Sequence, residues 1–177
     1  VRDLLADRNG PIFTSGSARF NDGVLVIVYK AAAEIGELGD NTAFLRDAIG
    51  NDALLRLALE SPEVDAIVLG HTRWASIGII SEPNAHPQSS DEVDPQTGQL
   101  VDSSSVDVPF VTAVLNGDVD NHADLTVSDD LLIAPEITTD AKVIPTLFAR
   151  RLQEGLGTSD SFRETVARLE GSVAIAA

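Results

Sequence analysis

An α+β domain, with helices packed outside mixed or antiparallel sheets, is the fold class this chain predicts. Two observations carry that expectation. Short β-branched apolar runs alternate with segments whose apolar side chains recur at helical spacing. In chain order these read strand, helix pair, strand, strand, helix pair, strand, with no internal repeat.

The 177 residues amount to one domain, spanning 1–177. A hydrophobic content of 44% and a mean hydropathy of +0.08 favour a folded globule over a disordered chain. Aromatic residues are only 5%, so Val, Leu, Ile and Ala must fill the interior. The net charge is −16 and the pI near 4.3. Such a surface repels phosphate backbones and anionic lipid heads, which argues against nucleic-acid and membrane partners and suits a cytoplasmic protein.

There is no cysteine, which excludes disulfides and thiolate metal sites within the chain and leaves its redox compartment open. No apolar run approaches the roughly 20 residues that cross a bilayer. The opening Val1-Arg2-Asp3-Leu4-Leu5 lacks the apolar core of a signal peptide. Without an initiator methionine, and with residues 171–177 reading as a strand cut off midway, the chain is expected to be an incomplete copy of its domain, truncated at both ends.

Residues 24–29 are β-branched and apolar, which predicts a buried strand. Asp40 or Asn41 can cap a helix bearing Phe44, Leu45, Ala48 and Ile49 on one face, with Gly50 ending it. Asn51 or Asp52 caps a second, with Leu54, Leu55, Leu57 and Ala58. Residues 64–69 predict a strand running straight into His71. From Pro87 to Val108 the chain is mostly Ser, Asp, Pro, Gln and Gly, which predicts an exposed loop, mobile at its tip. Residues 108–115 predict a strand ending at Asn116-Gly117, a dipeptide suited to positive φ and a tight turn. Thr139 or Asp140 opens a helix with Val143, Ile144, Leu147, Phe148 and Leu152 on one face, and Pro145 falls near its first turn. Ser161-Phe162-Arg163-Glu164 has capping-box spacing and predicts the start of a last helix through Val166 and Leu169.

Three motifs recur in order. The first is Gly70-His71-Thr72-Arg73-Trp74-Ala75-Ser76, continued by Ser81-Glu82-Pro83-Asn84-Ala85-His86-Pro87. Leu115-Asn116-Gly117-Asp118 and Thr138-Thr139-Asp140 follow. Together they resemble the class II (N-terminal-nucleophile) glutamine amidotransferases. The match is best to the aminosugar-forming branch, the glutamine–fructose-6-phosphate aminotransferase type, favoured by Trp74 and Asn84-Ala85-His86-Pro87.

The resemblance implies a four-layer α/β/β/α sandwich and a glutaminase that releases ammonia for amination of a sugar phosphate. It implies that the Asn116 side-chain amide and the Gly117 N–H form an oxyanion hole. Arg73 pairs with the substrate α-carboxylate, for which a guanidinium fork is suited, and Asp140 receives the α-amino group. Trp74 belongs to a loop folding over glutamine, Ser76 contacts the ligand, and His86 supports that loop. The implied partners are L-glutamine and a sugar-phosphate-binding domain of the same polypeptide, in a homo-oligomeric full-length protein. No cofactor or metal is implied, and His71, His86 and His122 have no convincing metal-site spacing.

The family attacks glutamine with an N-terminal cysteine whose α-amino group is the base. Val1 cannot do this, so the nucleophile is expected upstream and the chain alone is expected to be inactive. The pattern also departs at Ile77, where a histidine is common, and at Ala141 and Lys142, which replace polar and acidic residues. Each candidate has a structural alternative: a surface ion pair for Arg73, core packing for Trp74, a turn for Asn116-Gly117, a helix cap for Asp140, a solvated loop for His86. Two functional alternatives stay open. One is an amidophosphoribosyltransferase-type enzyme, the other a non-catalytic glutamine-binding relative.

Overall fold

The computed structural model describes residues 2–8, 12–21, 23–32, 39–72, 78–101 and 109–177. It is an α+β arrangement with two small antiparallel sheets. Helix α1 (Arg2–Ala6) precedes a hairpin of β1 (Ser17–Asn21) and β2 (Val24–Val28), in register from Ser17 opposite Val28 to Asn21 opposite Val24. The strand expected at 24–29 is therefore present. It is not buried throughout: Val28 is covered, while Val24 is 61% exposed. A two-stranded sheet can cover an apolar run only where another element packs on it.

Helices α2 (Asp40–Asn51) and α3 (Ala53–Leu59) follow. The Asp52 side chain caps α3, its Oδ1 accepting the N–H groups of Leu54 at 2.8 Å and Leu55 at 3.1 Å. Its Oδ2 accepts from Arg8 at 2.6 Å and from the Tyr29 hydroxyl, tying the cap to the end of α1 and to the residue after β2. Burial works to raise the Asp52 pKa, but the Tyr29 and Arg8 hydrogen bonds outweigh it and hold the carboxyl below its ordinary value. Helix α2 runs through Gly50 instead of ending there, and none of its residues is buried. Its expected apolar face meets solvent, with Phe44 at 53% exposure.

Residues 64–69 form no strand. Ile67 and Val68 are 99% and 90% exposed, because no neighbouring strand pairs with this run among the described residues. β propensity needs a partner surface before it is realised.

The main sheet is β3 (Gln88–Ser89), β4 (Thr112–Val119) and β5 (Gly171–Ala176), with β4 central. Against it pack α4 (His122–Ser128), a 3₁₀ turn (Asp140–Lys142) and α5 (Val143–Gln153), with α6 (Thr158–Ala167) outside α5. Ala113, Leu115 and Val119 of β4 meet Leu125, Ala141, Val143, Ile144 and Leu147 in the main core. Every residue of α5 from Val143 to Ala149 is buried. Phe148 and Ala149 join Val111 in a second cluster, with Phe162 of α6 partly buried against it. The last helix begins at Thr158, three residues before the expected cap. Ser161 lies inside it and turns its hydroxyl back to the Leu156 carbonyl at 3.3 Å.

Two further expectations are corrected. The polar stretch after Pro87 is not an exposed loop at its start, since Gln88, Ser89 and Asp91 are buried and Val93 is packed with Phe13, Ala134 and Ile137. Residues 102–108 of it lie outside the described part. Nor does Asn116-Gly117 make a tight turn. Both residues sit within β4, paired with Ala174 and Val173 of β5. Gly117 takes a φ of +134°, and a Cβ there would lie 1.8 Å from the Ser172 carbonyl oxygen. Glycine serves close strand approach here rather than chain reversal.

Candidate functional site

Asn84 joins two of the three motifs. It is fully buried, and its Nδ2 donates to Ser81 Oγ at 2.8 Å and to the Glu136 carbonyl at 3.0 Å. Its Oδ1 accepts the backbone N–H groups of Thr138 at 2.7 Å and Thr139 at 2.8 Å. Two donors and two lone pairs are the complete inventory of a primary amide, so every position is used. The loop at 81–87 is thereby held against the strand-like entry to Asp140. Gln88 supports the same loop from below, donating to the carbonyls of Pro83 and Ala85 at 3.0 and 2.8 Å.

Asp140 opens the 3₁₀ turn and is buried. Its Oδ2 accepts the Val119 N–H at 2.7 Å, and its Oδ1 accepts from Thr139 Oγ1 at 3.3 Å. An ionised carboxylate offers about four acceptor positions, so about two remain for a cation or a further donor. Val119 ends β4 three residues after Asn116, a distance of roughly 10 Å along an extended chain. Alternation places Asn116 on the face opposite Leu115 and Val119, which enter the core, and both Asn116 and Gly117 are exposed. The second and third motifs therefore share one stretch of β4 and the turn bonded to its end.

His86 is 9% exposed, and its ring lies 4.5 Å from that of His71, tilted by 49°. Arg73, Trp74, Ser76 and Ile77 lie outside the described residues. The chain directly after them does not. Ile79 N–H donates to Thr138 Oγ1 at 3.3 Å, and a Cβ on Gly78, at φ +87°, would come within 2.9 Å of the same oxygen.

Two lysines, Lys142 and Lys30, are also buried. Lys142 Nζ donates to the carbonyls of Ser89 at 2.6 Å and Asp91 at 2.5 Å, and burial lowers its pKa to about 8 against the attraction of Asp91 and Glu92. Lys30 is 1% exposed and its Nζ has no hydrogen-bond partner among the described residues. Burial, reinforced by repulsion from Lys142, lowers its pKa to about 7, while Glu82 draws it up. A cleft of about 350 Å³ at α2 and α3, lined by residues such as Ile49, Leu55 and Leu59, contains none of the motif residues. The described motif residues lie elsewhere.

No family model matches this chain. Individual relatives do. Glutamine–fructose-6-phosphate aminotransferase (isomerizing) of Geobacillus kaustophilus is 34% identical over 148 residues, which is 82% of this chain and 22% of that protein. The proteins of the same name from Chlamydia caviae and Mesorhizobium japonicum are 32% and 35% identical, over 85% and 70% of this chain and 23% and 18% of their own lengths.

The chain belongs to the glutamine–fructose-6-phosphate aminotransferase family.

It spans about a fifth of the length of these curated relatives of that family. In the sequence Asn84 serves only as a mark of the branch, Thr138 and Glu82 stand within the motifs without a role of their own, and Lys30 is not singled out. For Asn84 a signal existed in the Asn-Ala-His-Pro run, since a polar residue between turn formers often bonds backbone. For Lys30 none did, because a single lysine after an apolar strand carries no local sign of burial.

Proposed function

We propose that this chain is the glutamine-binding, glutaminase part of an aminotransferase that forms an aminosugar phosphate. The observation that carries it is the corner where Asn84 fastens the 81–87 loop to Thr138 and Thr139 while Asp140 holds the end of the strand bearing Asn116-Gly117. Under this reading the unused acceptor positions of Asp140 take the α-ammonium of L-glutamine, and Arg73 takes its α-carboxylate. The exposed Asn116 amide and the Gly117 N–H stabilise the oxyanion that develops on the side-chain carbonyl. Trp74 and Ser76 flank the ligand, and His86 supports the loop through its contact with His71.

The nucleophile that fits this scheme is a thiolate, and the 177 residues contain no cysteine. We assign it to a cysteine N-terminal to them. Attack on the carboxamide would release ammonia and leave a thioester, which water cleaves to glutamate. The four-layer α/β/β/α sandwich, the sugar-phosphate domain that consumes the ammonia, a homo-oligomeric full-length protein and a cytoplasmic location belong to the same proposal. No helix among the described residues is long and apolar enough to cross a membrane.

The absence of cysteine within the chain also favours a second reading, a relative that binds glutamine without hydrolysing it. One pair of measurements decides. L-Glutamine titrated into the chain, followed by amide NMR, should shift Asn116, Gly117 and Asp140, whereas L-asparagine should do so weakly. No shift at these three positions refutes glutamine binding. A glutamine-mimicking electrophile applied to the full-length protein should label an N-terminal cysteine, and its failure to do so favours the binding-only relative.

A further inference from the structure

We propose that Lys142 is a positioning residue for the Asp140 carboxylate, acting through the 3₁₀ turn that carries both side chains. The turn is fastened at each end. At its start, Asp140 Oδ2 accepts the Val119 N–H at 2.7 Å, at the end of β4. At its close, Lys142 Nζ donates to the Ser89 carbonyl at 2.6 Å and to the Asp91 carbonyl at 2.5 Å, at and just beyond β3. One ammonium thus bridges two carbonyls two residues apart.

Lys142 is 0% exposed. Its backbone is engaged as well, the N–H donating to the Thr139 carbonyl at 3.3 Å and the carbonyl accepting from Thr146 Oγ1 at 3.0 Å. The side chain cannot turn away without giving up two charge-assisted bonds in a dry interior. Burying an ammonium costs desolvation, and an apolar side chain of similar length could fill the same space. What the ammonium adds is direction, since its two bonds hold the turn at a set distance from residues 89–91. Asp140 and Lys142 lie two residues apart on one tight turn, so a rotation that frees one side chain displaces the other.

Strand β3 is itself paired with β4, Gln88 opposite Ala113 and Ser89 opposite Thr112. The contacts therefore close on themselves, from Val119 through Asp140 and Lys142 to Ser89 and back to β4. Lys142 in this way refers the Asp140 carboxylate to the strand that bears Asn116-Gly117. The acceptor positions that Asp140 keeps beyond its bonds to Val119 and Thr139 are held in one orientation toward that strand. Their use by a ligand ammonium rests on the glutamine reading of this corner; the link between Lys142 and Asp140 does not.

The test is a double-mutant cycle in the chain, read by amide NMR during titration with L-glutamine. Lys142→Met keeps the length of the side chain and removes its donors. The Val119 amide signal, which reports the bond to Asp140, should move in Lys142→Met, and an unmoved signal overturns the proposal. Lys142→Met should also weaken L-glutamine about threefold or more. In an Asp140→Asn background the same substitution should make little further difference, because the carboxylate through which Lys142 acts is gone. Equal affinity in wild type and Lys142→Met overturns the positioning role. So does an equal loss in both backgrounds, which is what a merely structural lysine would give. Should Lys142→Met fail to fold, Lys142→Gln, which keeps an N–H donor on a shorter side chain, takes its place with the same outcomes. A wild-type chain that binds no L-glutamine rejects the glutamine reading. The Val119 amide then decides alone, its displacement supporting the link to Asp140 and its constancy overturning it.

Discussion

The Asp140 carboxylate accepts the Val119 backbone N–H at 2.7 Å, fixing the start of the 3₁₀ turn to the end of β4. One side chain thus sets the distance between its own charge and the Asn116-Gly117 segment upstream. The ligand role proposed for it would use the acceptor capacity its carboxylate keeps beyond that bond and the one from Thr139 Oγ1.

Substitutions at Asp140 should separate the two roles. Asp140→Asn keeps an acceptor for Val119 and removes the negative charge, so stability should stay near wild type while glutamine affinity falls tenfold or more, in line with about 1.5–3 kcal/mol for a charged hydrogen bond. Asp140→Ala strands the buried Val119 N–H and should cost about 1–3 kcal/mol as well. Urea melts paired with glutamine titration read both. Equal affinity in Asp140→Asn would remove the charge from the site.

Asn84→Ala should be more damaging than its position in a loop suggests. It leaves the Thr138 and Thr139 N–H groups without their acceptor. A loss of about 2–4 kcal/mol is expected, with faster amide exchange at residues 81–86 and 138–139. Exchange that accelerates only at 81–86 would mean the two segments are not fastened by this side chain.

Neighbouring residues of β4 should respond differently. Gly117→Ala drives a Cβ into the Ser172 carbonyl and forces φ +134° on alanine, so the pairing of β4 with β5 should be lost at a cost of about 3 kcal/mol or more. Asn116→Ala is at an exposed position and should melt with wild type. In the complete enzyme it should slow turnover about a hundredfold or more, as for a lost oxyanion donor. A full-speed Asn116→Ala enzyme would return that residue to a purely structural role.

Lys30 predicts a pH dependence with a definite sign. Its folded-state pKa of about 7 lies below its ordinary 10.5, first because of burial and then because of Lys142. Between those values the unfolded chain binds the extra proton, so the stability contributed at this site rises with pH across the window. Below it, both states are protonated and the cost of burying the charge is fully felt. Lys30→Met should therefore stabilise most near pH 6, by up to a few kcal/mol, less near pH 9, and not at all above about 10.5. Denaturant midpoints at two pH values give the difference. A benefit independent of pH would show that burial leaves the Lys30 pKa at its ordinary value.

How much of this was legible beforehand follows the range of the interactions involved. The Asp52 cap and the α5 face are settled within a few residues of chain, and both were readable from spacing. The α+β class followed from the order of such segments. Residues 64–69 and Gln88, by contrast, depend on distant partners. Strand-forming composition at Ile67 and Val68 found no strand to pair with among the described residues. Polar Asn84 is buried because the Glu136 carbonyl and the Thr138 and Thr139 amides satisfy it, and Gln88 because its backbone pairs with Ala113 of β4. Asn116-Gly117 was misread because a positive φ at glycine serves a turn and a close strand approach equally well. Of the three motifs, two are brought together by described contacts, and Arg73 enters only through the residues that follow it.

The bare run around Ile67 and Val68 has a colloidal consequence. A short, β-branched, solvent-facing segment is a template for intermolecular stacking. What keeps copies apart is their mutual repulsion at a net charge of −16, a force that added electrolyte shortens and acid near pH 4.3 abolishes. Concentrated stocks should therefore cloud in high salt or mild acid while the fold itself is still intact, and a lysine placed at Val68 should delay the clouding in salt.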